Sequence, residues 1–144
     1  MTAVIAKELE HPGRADMARP LTLLVVDDDA AIIRYLKELL GDEGHQIDAF
    51  TDSTEALDAF RASPARYDAI VTDQTMPALT GTEMLKLVRA VKPAIPVIIC
   101  SGYADIAKRD AFAERSEGVV YLTKPVSVPD LLSALEIATS PLNV

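Results

Sequence analysis

From Leu21 onward, short apolar runs of strand length alternate with stretches of helical periodicity. Leu21–Val26 (LTLLVV) is a continuous apolar run, the pattern of a central parallel strand covered on both faces. Ile32, Ile33, Leu36, Leu39 and Leu40 then recur at helical spacing, with Asp29 placed to cap the start and Gly41 and Gly44 near the end. HQIDAF is a second strand candidate. A helix follows with Asp52 as cap, Glu55 three residues on, and Ala56, Leu57 and Phe60 on one face. AIVT is a third strand, and Thr80 to Glu83 forms a capping box that opens a helix with Leu85, Val88 and Val91 inside. PVIIC is a fourth strand. A weaker helical pattern covers about 104–113, VVYLT is a fifth strand, and Leu131, Leu132, Leu135 and Ala138 mark a last helix. Five strands alternating with five helices imply right-handed crossovers, hence an α/β fold with a parallel sheet and helices on both faces.

The chain has 144 residues, which suits one domain. We expect a flexible leader over 1–20, punctuated by Pro12-Gly13 and Pro20, a domain over 21–140 and a tail over 141–144. Aromatic residues are 5% and Trp is absent, so the core must be built from Val, Ile, Leu and Ala. The formal net charge of -8 argues against direct binding of nucleic acid, which needs a basic face. The single cysteine, Cys100, excludes an internal disulfide and fits a reducing compartment. No apolar run approaches the roughly 20 residues of a membrane span, and the N-terminus lacks the apolar stretch of a signal peptide. The expected location is therefore the cytoplasm, with no membrane partner.

In sheets of this kind function gathers at the carboxyl ends of the strands. The first strand ends in Asp27-Asp28-Asp29, the third in Asp73, the fourth in Ser101-Gly102 and the fifth in Lys124-Pro125. Taken singly, each has an ordinary explanation. Asp29 is a helix cap, Lys-Pro a turn and Ser-Gly a loop. Jointly they put acids, a hydroxyl and a lysine on one edge. Two carboxylates about 4 Å apart repel by roughly 4 kcal/mol at an effective dielectric near 20, so the cluster needs a counter-charge. A hard divalent cation with oxygen ligands, Mg2+ being the abundant choice, meets that need, and Lys124 supplies a second positive charge. The set suits phosphoryl transfer to one of the carboxylates, with Ser101 donating a hydrogen bond.

The motifs LLVVDDD, IVTDQTMPALTG, VIICSGYAD and YLTKPV resemble, in order, the pattern of receiver domains of two-component response regulators. The resemblance runs from about Leu21 to Ala138. It implies the flavodoxin-like receiver fold, with strand order 2-1-3-4-5. It also implies that Asp73 is the phosphoryl acceptor and that Asp27 and Asp28 are the acidic pair for Mg2+, Asp28 the more direct ligand. Thr75 would lend a main-chain carbonyl to the metal. Ser101 matches the switch hydroxyl, Lys124 the phosphate-binding lysine and Tyr121 the aromatic switch position, and the Lys124-Pro125 bond is of the kind that is typically cis. Thr80 stands where Asp often precedes the loop glycine, Gly81, and serves as well for a cap. Val126 stands where Phe is common, which softens the packing behind the site. Gln74 and Thr75 occupy positions that vary among members and are thought to tune dephosphorylation. His11 and His45 lie outside the constellation, His45 in the loop before the second strand.

Two other function classes compete. A phosphatase of the haloacid dehalogenase type carries its nucleophile on strand 1 in a DxDx(T/V) pattern. Asp27-x-Asp29 meets the first half, but Ala31 stands where Thr or Val belongs. A docking module that never uses its acceptor would not need the complete set of site residues. The expected function is thus a switch rather than an enzyme on other substrates. It would be loaded by a sensor histidine kinase or a histidine phosphotransfer protein and read out by a downstream protein target, as a monomer or weak homodimer. A stand-alone domain, or a part of a larger hybrid kinase or regulator, would share these features.

Overall fold

The computed structural model describes residues 19–102 and 117–140. Five strands, β1 (Thr22–Val26), β2 (Gln46–Phe50), β3 (Ala69–Asp73), β4 (Val97–Ser101) and β5 (Val119–Thr123), form one sheet in the order β2-β1-β3-β4-β5. Every pairing is parallel. Four helices are described: α1 (Ala30–Asp42), α2 (Ser53–Ala62), α3 (Gly81–Val91) and α4 (Val128–Thr139). The helix expected over 104–113 lies outside the described residues, as do most of the expected leader and the tail.

The apolar runs divide their side chains between two cores because successive strand residues point to opposite faces. Leu24, Val26, Ile70 and Ile99 pack with Phe60 of α2 and with Met84, Leu85 and Val88 of α3. Leu23, Val25, Val71 and Ile98 pack with Leu36 and Leu40 of α1 and with Leu131 and Leu135 of α4. A large aliphatic side chain buried this fully contributes about 1.5–3 kcal/mol relative to exposure, which is why uninterrupted apolar strands are needed here. Val91, expected inside, is instead 44% exposed, since it is the last residue of α3 and turns away from the sheet.

The caps hold as read. Asp29 accepts from Ala31 N, Asp52 accepts from Thr54 N and Glu55 N, and Thr80 with Glu83 closes a reciprocal capping box. A short 3-10 turn over Pro64–Arg66 is not anticipated from periodicity. It brings Arg66 and Tyr67 against the edge strand β2, where Arg66 Nε and Tyr67 Oη donate to Asp48 Oδ2 at 2.8 and 2.7 Å. A charged cluster of this kind also blocks edge-to-edge pairing.

Candidate functional site

Because all strands run in parallel, their carboxyl ends lie on one edge, and the residues expected there converge. Asp27 follows β1 and is buried; Asp28 beside it is exposed; Asp73 ends β3 and is buried. One carboxylate oxygen from each of the three lies within 4.8 Å of the others. Lys124, just past β5, reaches back over them: its Nζ lies 2.9 Å from Asp73 Oδ1 and 3.4 Å from Asp27 Oδ2. Asp27 is oriented from its other side, where Oδ1 accepts from Asp29 N at 2.9 Å. Asp29 itself faces α1 as a cap and is not part of the acidic group.

The electrostatics follow from this crowding. Burial pushes the Asp73 carboxyl above the usual range; the Lys124 hydrogen bond opposes that, and the charges of Asp27 and Asp28 add to it. Burial works against the Lys124 ammonium, but its contacts with Asp73 and Asp27 outweigh it and hold its pKa above the ordinary value. Three acids against one ammonium leave a surplus of negative charge. All the converging atoms are carboxylate oxygens, a donor set that fits a hard divalent cation such as Mg2+.

Ser101 ends β4. Its main-chain carbonyl accepts from Lys124 N at 2.8 Å, which ties the lysine loop to the strand. Its Oγ is buried without a hydrogen-bond partner among the described residues. Tyr121 pairs with Ile99 across β4 and β5, so it faces the same side of the sheet as Ser101, half-buried against the α2/α3 core. The Lys124-Pro125 bond is cis. Thr75 is exposed in the loop between β3 and α3. Val126 borders an apolar cavity of about 290 Å³ that runs from Asp73 and Lys124 down between α1 and α4.

Across residues 23–136 the sequence matches the family described as response regulator receiver domain. The chain belongs to that family. Among its relatives, the response regulator MprA of Mycobacterium sp. (strain KMS) is 34% identical over 130 residues, covering 85% of this chain and 53% of that protein. The MprA of Mycolicibacterium vanbaalenii is 32% identical over 121 residues, covering 81% and 49%. The chain thus spans about half the length of the curated relatives it matches. A receiver domain protein structure from Clostridium thermocellum superposes with a TM-score of 0.77 at 31% identity, covering 83% of this chain and 94% of that one. The receiver domain of Francisella response regulator 1452 gives 0.71 at 31%, covering 83% and 96%. This receiver is therefore a signalling domain of the two-component class, with the flavodoxin-like fold.

Two residues shape the loop after β3 in ways that sequence spacing did not indicate. Ser53, buried at the start of α2, donates from Oγ to Pro77 O at 3.0 Å and accepts from Leu79 N at 3.1 Å, holding the crest where Ala78 adopts a φ of 71°. Gln74, directly after Asp73, accepts at Oε1 from both Thr82 N and Thr82 Oγ1 at 3.0 Å. Gly81 lies between them; a Cβ there would come within 2.7 Å of Asp73 O, so only glycine allows α3 to start this close to β3.

Proposed function

We propose that Asp73 accepts a phosphoryl group from a sensor histidine kinase or a histidine phosphotransfer protein. Asp27, Asp28, Asp73 and the main-chain carbonyl of Thr75 would hold Mg2+ beside it. The observation that carries this reading is the Lys124 bridge across Asp27 and Asp73 inside a set of three converging carboxylates. A carboxylate kept next to surplus negative charge and a mobile ammonium is poised for phosphoryl chemistry rather than for packing. One Asp73 oxygen forms the new P–O bond. The P–N bond of the donor phosphohistidine breaks, its electron pair leaves with the imidazole nitrogen, and the ring departs neutral after taking up a proton. A divalent cation held there would supply positive charge to the phosphoryl oxygens. Lys124 donates to one of those oxygens and Ser101 Oγ to another.

Ser101 carries a buried hydroxyl without a partner among the described residues, which supports its role as the switch donor. Its inward movement opens space for the Tyr121 ring and alters the face around β5 that a downstream protein reads. A few kcal/mol of differential interaction suffices to move such an equilibrium. The receiver occupies about residues 21–140 and catalyses only its own phosphorylation and dephosphorylation. The net charge of -8 supports protein partners over direct contact with nucleic acid. No helix among the described residues is long and apolar enough to cross a membrane. The proposed site of action is the cytoplasm, with the receiver as a monomer or weak homodimer. The test is intact mass after incubation with acetyl phosphate and Mg2+. Wild type gains one phosphoryl group and Asp73→Asn gains none; equal gain in both would overturn the assignment.

A further inference from the structure

We propose that Gln74 is a positioning residue for the metal site. Its amide oxygen, bonded to Thr82, closes the loop that carries Thr75 and so sets the affinity for the divalent cation. The inference rests on the metal-site reading above.

The first turn of α3 has more donors than its capping box can serve. Helix starts leave several backbone N–H groups without internal partners. Here Thr80 N is taken by Glu83 Oε1 and Glu83 N by Thr80 Oγ1. Gly81 N and Thr82 N remain. Both go to Gln74: Gly81 N donates to its main-chain oxygen at 2.9 Å and Thr82 N to its side-chain oxygen at 3.0 Å. The Thr82 hydroxyl, on a buried residue, adds a third bond to the same Gln74 Oε1 at 3.0 Å.

The segment from Gln74 to Gly81 is therefore a ring closed at its neck, and Thr75 lies inside it. From the other side, Gln74 N donates to Cys100 O at 2.9 Å, fixing the neck to the sheet. A loop closed without help from a ligand does not have to be ordered when the cation binds, and that saved ordering appears as affinity. The same bonds commit the Gln74 side-chain oxygen Oε1 to Thr82, so this oxygen acts through the loop.

The experiment titrates Mg2+ into the full-length protein and follows amide chemical shifts. It compares wild type with Gln74→Ala, Thr82→Val, the double variant, Thr82→Ser and Thr80→Ala, all checked for folding by circular dichroism. Gln74→Ala is expected to weaken the Mg2+ Kd about five-fold, the size of a modest ordering cost. Thr82→Val should weaken it less, since its N–H bond survives, and the double variant should fall short of the product because both act through one contact. Thr82→Ser keeps the hydroxyl and should restore wild-type affinity. Thr80→Ala frays the same helix without touching the neck and should stay within about two-fold. Unchanged affinity in Gln74→Ala, or equal weakening in Thr80→Ala, would overturn the inference while leaving the metal site intact. Absence of any Mg2+ binding in wild type would overturn the metal-site reading itself.

Discussion

The two edges of the sheet treat charge in opposite ways. At the amino-terminal edge, polar side chains serve as caps for strand ends. Asp68 accepts from Thr22 N at 2.8 Å, and His45 Nδ1 accepts from Leu21 N at 3.0 Å. Arg89 donates to Ile95 O and Glu117 O, and Lys92 Nζ donates to Pro64 O and Tyr67 O. Each of these side chains is spent on a main-chain group at or near a strand end. At the carboxyl-terminal edge, three acids converge with one lysine bridging two of them, Asp27 and Asp73, and a buried hydroxyl has no partner among the described residues. One edge ties up strand ends; the other gathers carboxylate oxygens, a donor set that fits a divalent cation.

Several substitutions would break or sharpen this contrast. Lys124→Met strands Asp27 and Asp73 without their counter-charge. It is expected to destabilise the cation-free protein by about 2 kcal/mol, a discounted figure for a partly exposed pair. Urea denaturation should show much of the loss recovered on adding Mg2+. Lys92→Met at the other edge removes two charge-assisted bonds and should cost about 1.5 kcal/mol, with no recovery when Mg2+ is added. Equal Mg2+ response in the two variants would erase the distinction between the edges. Asp73→Asn should act in the reverse sense, raising cation-free stability at pH 7 by about 1 kcal/mol through relief of like charge. The sign agrees with the upward shift of the Asp73 pKa. Stability is lost as pH rises from the unfolded value, about 3.9, through the higher folded one, and the amide removes that loss.

The smallest effect expected is a pH slope at the amino-terminal edge. Burial lowers the His45 pKa, with Glu43 opposing, while Nδ1 is engaged by Leu21 N. Its folded pKa lies below the unfolded value of about 6.5, so stability is full above that pH and falls as pH drops through the interval. A loss of up to about 1 kcal/mol between pH 7 and 5 is expected. In His45→Gln this part of the slope should vanish; an identical slope would remove His45 from the account.

Local signals were legible in the sequence because their partners lie within four residues. The caps Asp29, Asp52 and Thr80 with Glu83 stand where their spacing placed them. The apolar runs marked the strands to within a residue, as β1 beginning at Thr22 rather than Leu21 shows. They also placed Asp27, Asp73, Ser101 and Lys124 on one edge. The strand order came from resemblance, since alternation alone does not say which strand is central. His45, Ser53 and Gln74 were not legible in these roles. Their partners, Leu21, Pro77 with Leu79, and Thr82, lie 24, 24 with 26, and 8 residues away, and nothing in composition or periodicity links them.

The buried thiol on β4 has a practical consequence. Cys100 is the sole cysteine, burial pushes its pKa up to about 12, and it borders the cavity next to Asp73. At neutral pH almost none of it is thiolate, so an alkylating reagent finds no nucleophile in the closed molecule. Labelling then reports how often β4 comes free, which makes its rate a clock for local opening of the sheet at that strand. The same residue then dates that opening with and without a ligand at the acidic edge, using no label beyond the chain's own sulfur.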